Sequence, residues 1–253
     1  MFHGAPGSRL FAPPAEVPTR LGVRLITFDR PGFGSSDRRE GRAVLDTAGD
    51  VAALADALRV DRFAVVGVSA GGAHALACAV ALGERVSGVA VASMPGPLDE
   101  VPGAWDALDR RQRPAADMAR EDPVTAAGWV VRYMGRWADE PTGFLGGGTP
   151  ADRELLAEPA TGEMLRADVT EALRPGGGGM ADDLVALWMP WGFRISEVRP
   201  GVRLCHGGQD TRAEPAFHYL AATLPDCRSR IWPHDGHYGA VRHWAEILAE
   251  TAA

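Results

Sequence analysis

At 253 residues with 46% hydrophobic composition, the chain suits one large domain or a domain carrying an insert. The formal net charge is −7 and all 26 basic residues are arginines, scattered along the chain, which excludes a nucleic-acid or anionic-membrane surface as the expected role. Lysine is absent, so neither a phosphate-binding G-x-x-x-x-G-K loop nor Schiff-base chemistry is available.

The chain opens on the turn His3-Gly4-Ala5-Pro6-Gly7-Ser8. Residues 23–28 then read as a strand, closed by the turn Asp29-Arg30-Pro31-Gly32-Phe33-Gly34. A helix is expected from Thr47 to Arg59, with Val51, Leu54 and Leu58 on one face and Thr47 with Asp50 as a cap-like start. The apolar run Phe63-Ala64-Val65-Val66 is a strand leading into Gly67-Val68-Ser69-Ala70-Gly71, and an Ala/Gly-rich helix follows from Ala73 to Leu82. Another strand is expected at Val86 to Ala92.

The middle, 94–198, shows helical patches and no convincing buried strand. It holds five tryptophans (Trp105, Trp129, Trp137, Trp188 and Trp191) and two glycine runs, 146–148 and 176–179, which read as hinges. Alternation resumes with a strand at Val202 to Cys205, a helix at Glu214 to Leu224, a strand at Arg228 to Trp232 and a last helix from Ala240 to Glu250. Alternating strands and helices imply an α/β fold with a mostly parallel sheet flanked by helices. The core domain is assigned to 1–93 and 199–253, and the helical insert to 94–198. Cys78, Cys205 and Cys227 are far apart, and no C-x-x-C pair suggests a zinc site or a disulfide framework. They read as buried thiols in a reducing cytoplasm.

A strand running into G-x-S-x-G and straight on into a helix holds the serine on a sharp turn, with Gly67 and Gly71 where a Cβ would collide. Ser69 is therefore the candidate nucleophile. A serine hydroxyl needs a base, and the base an orienting acid. His237, in Asp235-Gly236-His237-Tyr238 after a strand, stands at the correct edge of the sheet, with His234 as rival. Asp210, in Gly207-Gly208-Gln209-Asp210, is the candidate acid. Two amides must face the developing oxyanion. Ala70 supplies one and Ala5 of the opening turn the other, with His3 and Gly4 supporting that turn.

With HGAPGS, DRPGFGSSD, GVSAGG, GGQD and DGH in this order, the chain resembles the α/β-hydrolase family with a helical cap over nearly its whole length. The resemblance implies that fold, a Ser-His-Asp arrangement, no cofactor, no metal and a small-molecule substrate. Ser69 argues against the dehalogenase and epoxide-hydrolase branches, which carry aspartate at that place. The expected activity is acyl transfer on a small to medium carboxylic ester by a cytoplasmic enzyme. Prolyl-aminopeptidase-like or carbon–carbon bond hydrolysis stays open, an amine-binding role falling to Glu121, Asp122, Asp139 or Glu140. So does a non-catalytic binding protein. The family has strands before the HG turn where this sequence has Met1 and Phe2. Missing the strand that pairs with the one leading to Ser69 would leave central backbone groups unpaired, so upstream coding sequence for an apolar strand running into His3 is expected.

Overall fold

The order of apolar runs in the chain becomes the order of strands in space. A computed structural model describes residues 1–135, 140, 142–143, 145 and 148–252; Trp137, Asp139, Gly146 and Gly147, singled out above, lie outside them. The elements are α1 (Glu16–Arg20), α2 (Thr47–Ala57), β1 (Phe63–Val68), α3 (Ala70–Leu82) and β2 (Val86–Ala92). Helices α4 (Ala104–Ala107), α5 (Arg113–Ala119), α6 (Pro123–Gly135), α7 (Pro150–Ala157), α8 (Pro159–Leu173) and α9 (Gly178–Trp188) come next. The chain closes with β3 (Val202–Gly207), α10 (Glu214–Thr223), β4 (Cys227–Trp232) and α11 (Trp244–Thr251). Among the described residues the four strands form one parallel sheet in the order β1-β2-β3-β4.

Both faces of the sheet are covered, and successive side chains along a strand go to opposite cores. Val65, Val89, Val91, Val202 and Leu204 pack on the face of α2, α3 and α10. Val66, Val68, Ala90, Ala92 and Cys205 pack on the face of α11 and the helices between β2 and β3. Helix α3 is built of small residues, and Ala73, Ala75, Leu76, Ala77 and Cys78 are all fully buried. Short side chains let it lie close on β1 and β2.

Several expectations need correction. Residues 23–28 carry no strand assignment. Met1 and Phe2 lie between them and β1: the Met1 nitrogen donates to the Ile26 carbonyl at 2.7 Å, and Phe2 forms a parallel bridge to Gly67. The Phe2 amide donates to the Val66 carbonyl at 2.7 Å, and the Val68 amide donates to the Phe2 carbonyl at 3.3 Å. The inner edge of β1 is thus paired at this point, but two residues are too few to build a ladder along 23–28. Thr47 does not cap α2 either. Its hydroxyl is buried against His74 Nδ1 at 2.8 Å, and the N-cap residue is Asp46. The run 176–179 leads into α9, where Gly179 lies so close to Gly32 that a Cβ would overlap the Gly32 backbone. That run is a point of close approach rather than a free hinge. The last helix begins with a 3-10 turn, Gly239–His243, before α11.

Candidate active site

Ser69 occupies the single residue between β1 and α3, at φ 54° and ψ −130°. A non-glycine residue there costs on the order of 1–3 kcal/mol, which the packed strand and helix on either side must hold in place. The flanking glycines are required by contact. A Cβ on Gly67 would overlap the Gly71 carbonyl, and one on Gly71 would come within 2.5 Å of the Phe2 carbonyl oxygen. The Ser69 amide donates to the Ala92 carbonyl at 2.9 Å, tying the turn to the end of β2.

The structure brings the three predicted side chains together. His237 Nε2 is 3.0 Å from Ser69 Oγ, and His237 Nδ1 is 2.6 Å from Asp210 Oδ2. With the Nδ1 proton donated to the carboxylate, Nε2 is free to accept from the serine hydroxyl. Asp210 is buried after β3. Burial alone would push its carboxyl up, but the hydrogen bond and charge of His237, with Arg212 beyond, hold it below the usual carboxylate range. The loops carrying acid and base are laced together: the Gly208 amide donates to the Trp232 carbonyl at 2.8 Å and the Gln209 amide to the Asp235 carbonyl at 2.9 Å. A Cβ on Gly207 would overlap the Gly236 carbonyl, so the two loops cross at a glycine. His234 is exposed, and its carbonyl accepts from the Gln209 side chain at 3.3 Å.

The opening turn lies directly over the serine; an added Cβ at Gly4 would sit 3.5 Å from Ser69 Cβ. Ala5 and Ala70 line the same cavity as Ser69 and His237, and among the described residues neither amide is donated to another protein group. Ala70 is the first residue of α3, where amides have no partner within the helix and the dipole favours negative charge. His3 is buried and structural: Nε2 accepts from the Arg30 amide at 3.1 Å, and Nδ1 donates to the Gly4 carbonyl at 2.7 Å. Burial, and then the charge of Arg30, lower its pKa well below the ordinary histidine value, so the ring is neutral.

Four carboxylates from the helices between β2 and β3 hold these loops, and the sequence reading passed over all of them. Asp183 on α9 is fully buried between Arg30 and Arg42, each at 2.5 Å, with His74 Nε2 at 3.4 Å. Burial opposes its charge, yet the two guanidiniums beside it keep its carboxyl well below the usual range. Arg30 donates onward to the carbonyls of His3 and Gly4. Asp182 binds Arg38 through two hydrogen bonds of 2.8 and 2.9 Å. Asp168 on α8 accepts from both the amide and the hydroxyl of Ser8, at 2.7 and 2.8 Å. Asp152 on α7 accepts from the Tyr238 amide at 2.9 Å, next to His237.

Ser69 opens into a cavity of about 880 Å³. Leu108, Trp129, Leu165, Met180, Leu184 and Trp188 contribute apolar walls from the helices between β2 and β3. Trp191 instead belongs to the core under α2 and α3. Glu121, Asp122 and Glu140 are exposed and do not line the cavity. Asp122 accepts from the Thr125 amide and hydroxyl at the start of α6.

A family model described as alpha/beta hydrolase fold matches residues 1–124, which contain the opening turn and the serine elbow. In sequence the likeness to alpha/beta hydrolases thus covers just under half of the chain. A putative non-heme bromoperoxidase of Mycobacterium tuberculosis is 29% identical over 140 residues, 47% of this chain and 53% of that protein. The chain therefore spans about half the length of the curated relatives it matches. Among solved structures, a thermophilic esterase from Thermogutta terrifontis superposes with a TM-score of 0.68 at 21% identity, covering 98% of this chain and 86% of the other. An enol-lactonase from Burkholderia xenovorans superposes with a TM-score of 0.64 at 20% identity, covering 98% and 88%. At these identities the likeness is one of hydrolase fold. No helix among the described residues is long and apolar enough to cross a membrane.

Proposed function

We propose that the protein is a serine hydrolase that acts by acyl transfer on a small to medium carboxylic ester. The observation that carries the proposal is the unbroken chain of contacts from Asp210 through His237 to Ser69, at 2.6 and 3.0 Å, on a residue held at positive φ. Ser69 Oγ attacks the ester carbonyl while His237 Nε2 takes its proton. The resulting oxyanion is met by the amides of Ala5 and Ala70. His237 then delivers the proton to the alcohol oxygen as the C–O bond breaks. Water, deprotonated by the same imidazole, attacks the acyl-enzyme, and the proton returns to Ser69 as the acid leaves.

An ester is favoured over a peptide amine because Glu121, Asp122 and Glu140 are exposed and lie off the cavity lining, while Arg110, Arg111 and Arg212 line it beside Asp109 and Asp168. The mostly apolar walls suit an acyl chain. The fold is shared with an esterase and an enol-lactonase, both acting on carbonyls of this class by their names. The test is intact-mass spectrometry after treatment with a fluorophosphonate. One covalent adduct is expected on the native chain and none on Ser69→Ala; an unlabelled native chain, or labelling that survives the substitution, would overturn the proposal.

A further inference from the structure

The cavity holds a polar group that acyl transfer does not use. Asp168 is 3% exposed, on α8, and lines the same cavity as Ser69. Its Oδ1 accepts both hydrogen bonds from Ser8. Among the described residues Oδ2 receives no hydrogen bond, yet it is not one of the buried atoms sealed away from any partner. The free oxygen therefore keeps some accessible surface, and Asp168 lines the cavity. Pinning Ser8 needs one oxygen; the second keeps a carboxyl desolvated on α8 between the apolar Leu165 and Val169 of the cavity wall, which is unfavourable unless something there donates to it. Tyr238, the residue after His237, lines the same cavity, and its phenol has no hydrogen-bond partner among the described residues. Apolar pockets fix a ligand's orientation through a few converging polar groups of this kind.

The ligand group that fits is a hydroxyl. A carboxyl accepts from it, and a phenol can donate to its oxygen. An ammonium fits less well, because Arg110, Arg111 and Arg212 also line the cavity and Arg30 lies close behind Asp168. We infer that Asp168 is a specificity residue that selects esters bearing a hydroxyl on the part of the substrate that fills the cavity, with Tyr238 as the second contact. The inference rests on the serine-hydrolase reading.

The test compares kcat/KM for p-nitrophenyl esters of six-, eight- and ten-carbon acids with their ω-hydroxy counterparts. The native protein is expected to prefer the hydroxylated ester at one or more lengths by about tenfold. Asp168→Ala should abolish that preference by slowing only the hydroxylated ester. Asp168→Asn, which still offers Ser8 an acceptor and is the safer variant for folding, should reduce the preference. Ser8→Ala removes one hydrogen bond and leaves Oδ2 in place, so it should keep the preference. No preference in a protein that labels with fluorophosphonate, or a loss equal for both esters in the Asp168 variants, would overturn the inference and leave the hydrolase reading standing. A native protein that fails to label removes both, and the mass spectrum distinguishes that outcome.

Discussion

The two sides of the cavity are built by opposite means. On the sheet side, Ser69, Asp210 and His237 sit on turns one to five residues beyond a strand end, and glycines at 67, 71 and 207 allow backbone to touch backbone. On the helical side no tight turn carries a functional group. Apolar residues of α6, α8 and α9 form most of the wall, and buried aspartates on α7, α8 and α9 reach across to hold loops around the sheet. The candidate site is thus placed by local backbone geometry on one side, while its support comes from hydrogen bonds and ion pairs spanning 86 to 160 residues on the other.

Removing the proposed base tests the sheet side most severely. His237→Ala is expected to lower kcat/KM on an ester by about a thousandfold or more. His234→Ala, at an exposed neighbour on the same loop, should stay within about twofold, and steady-state kinetics on both variants checks the pair. The helical side should respond in stability. Asp183→Ala leaves Arg30 and Arg42 buried without their carboxylate and should cost about 3–5 kcal/mol in denaturant unfolding. A loss below about 1 kcal/mol would mean that the network is dispensable.

The smallest effect concerns proton binding. Burial raises the Asp168 carboxyl from 3.8 to about 7, against the lowering effect of the Ser8 hydrogen bonds. The folded protein then holds a proton that the unfolded chain has released, so this group's contribution to stability falls as pH rises from about 4 to about 7. Asp168→Asn removes that penalty. Its stability relative to the native protein should therefore improve between pH 4.5 and pH 8, by about 3 kcal/mol or less. Thermal melts at the two pH values measure the difference, and an unchanged gap would show that the carboxyl titrates normally.

The same contrast explains what could be read without a structure. That Ser69, Asp210 and His237 come together was legible because each stands in a short motif after an apolar run, and the strands at Val86 and Val202 because their patterns are continuous. Residues 23–28 have an equally strand-like pattern, but a strand also needs a partner ladder, which pattern alone cannot report. Asp152, Asp168 and Asp183 sit at ordinary helical positions and read locally as solvated faces. Their partners Tyr238, Ser8 and Arg30 are remote in sequence, so no local signal marks them as buried. Tyr238 was visible only as the neighbour of His237.

The buried cluster around Asp183 also bears on how freely parts of this molecule can be exchanged. It joins the opening turn through His3 and Gly4, the next loop through Arg30, α3 through His74 and the helical region through α9. Replacing the helical region with one from another protein of this fold would remove Asp168 and Asp183, stranding Ser8, Arg30 and Arg42 without their acceptors. The roof of this cavity and the turn that carries Ala5 are in that sense one heritable unit, and a chimera would keep its reactive centre only if both were moved together.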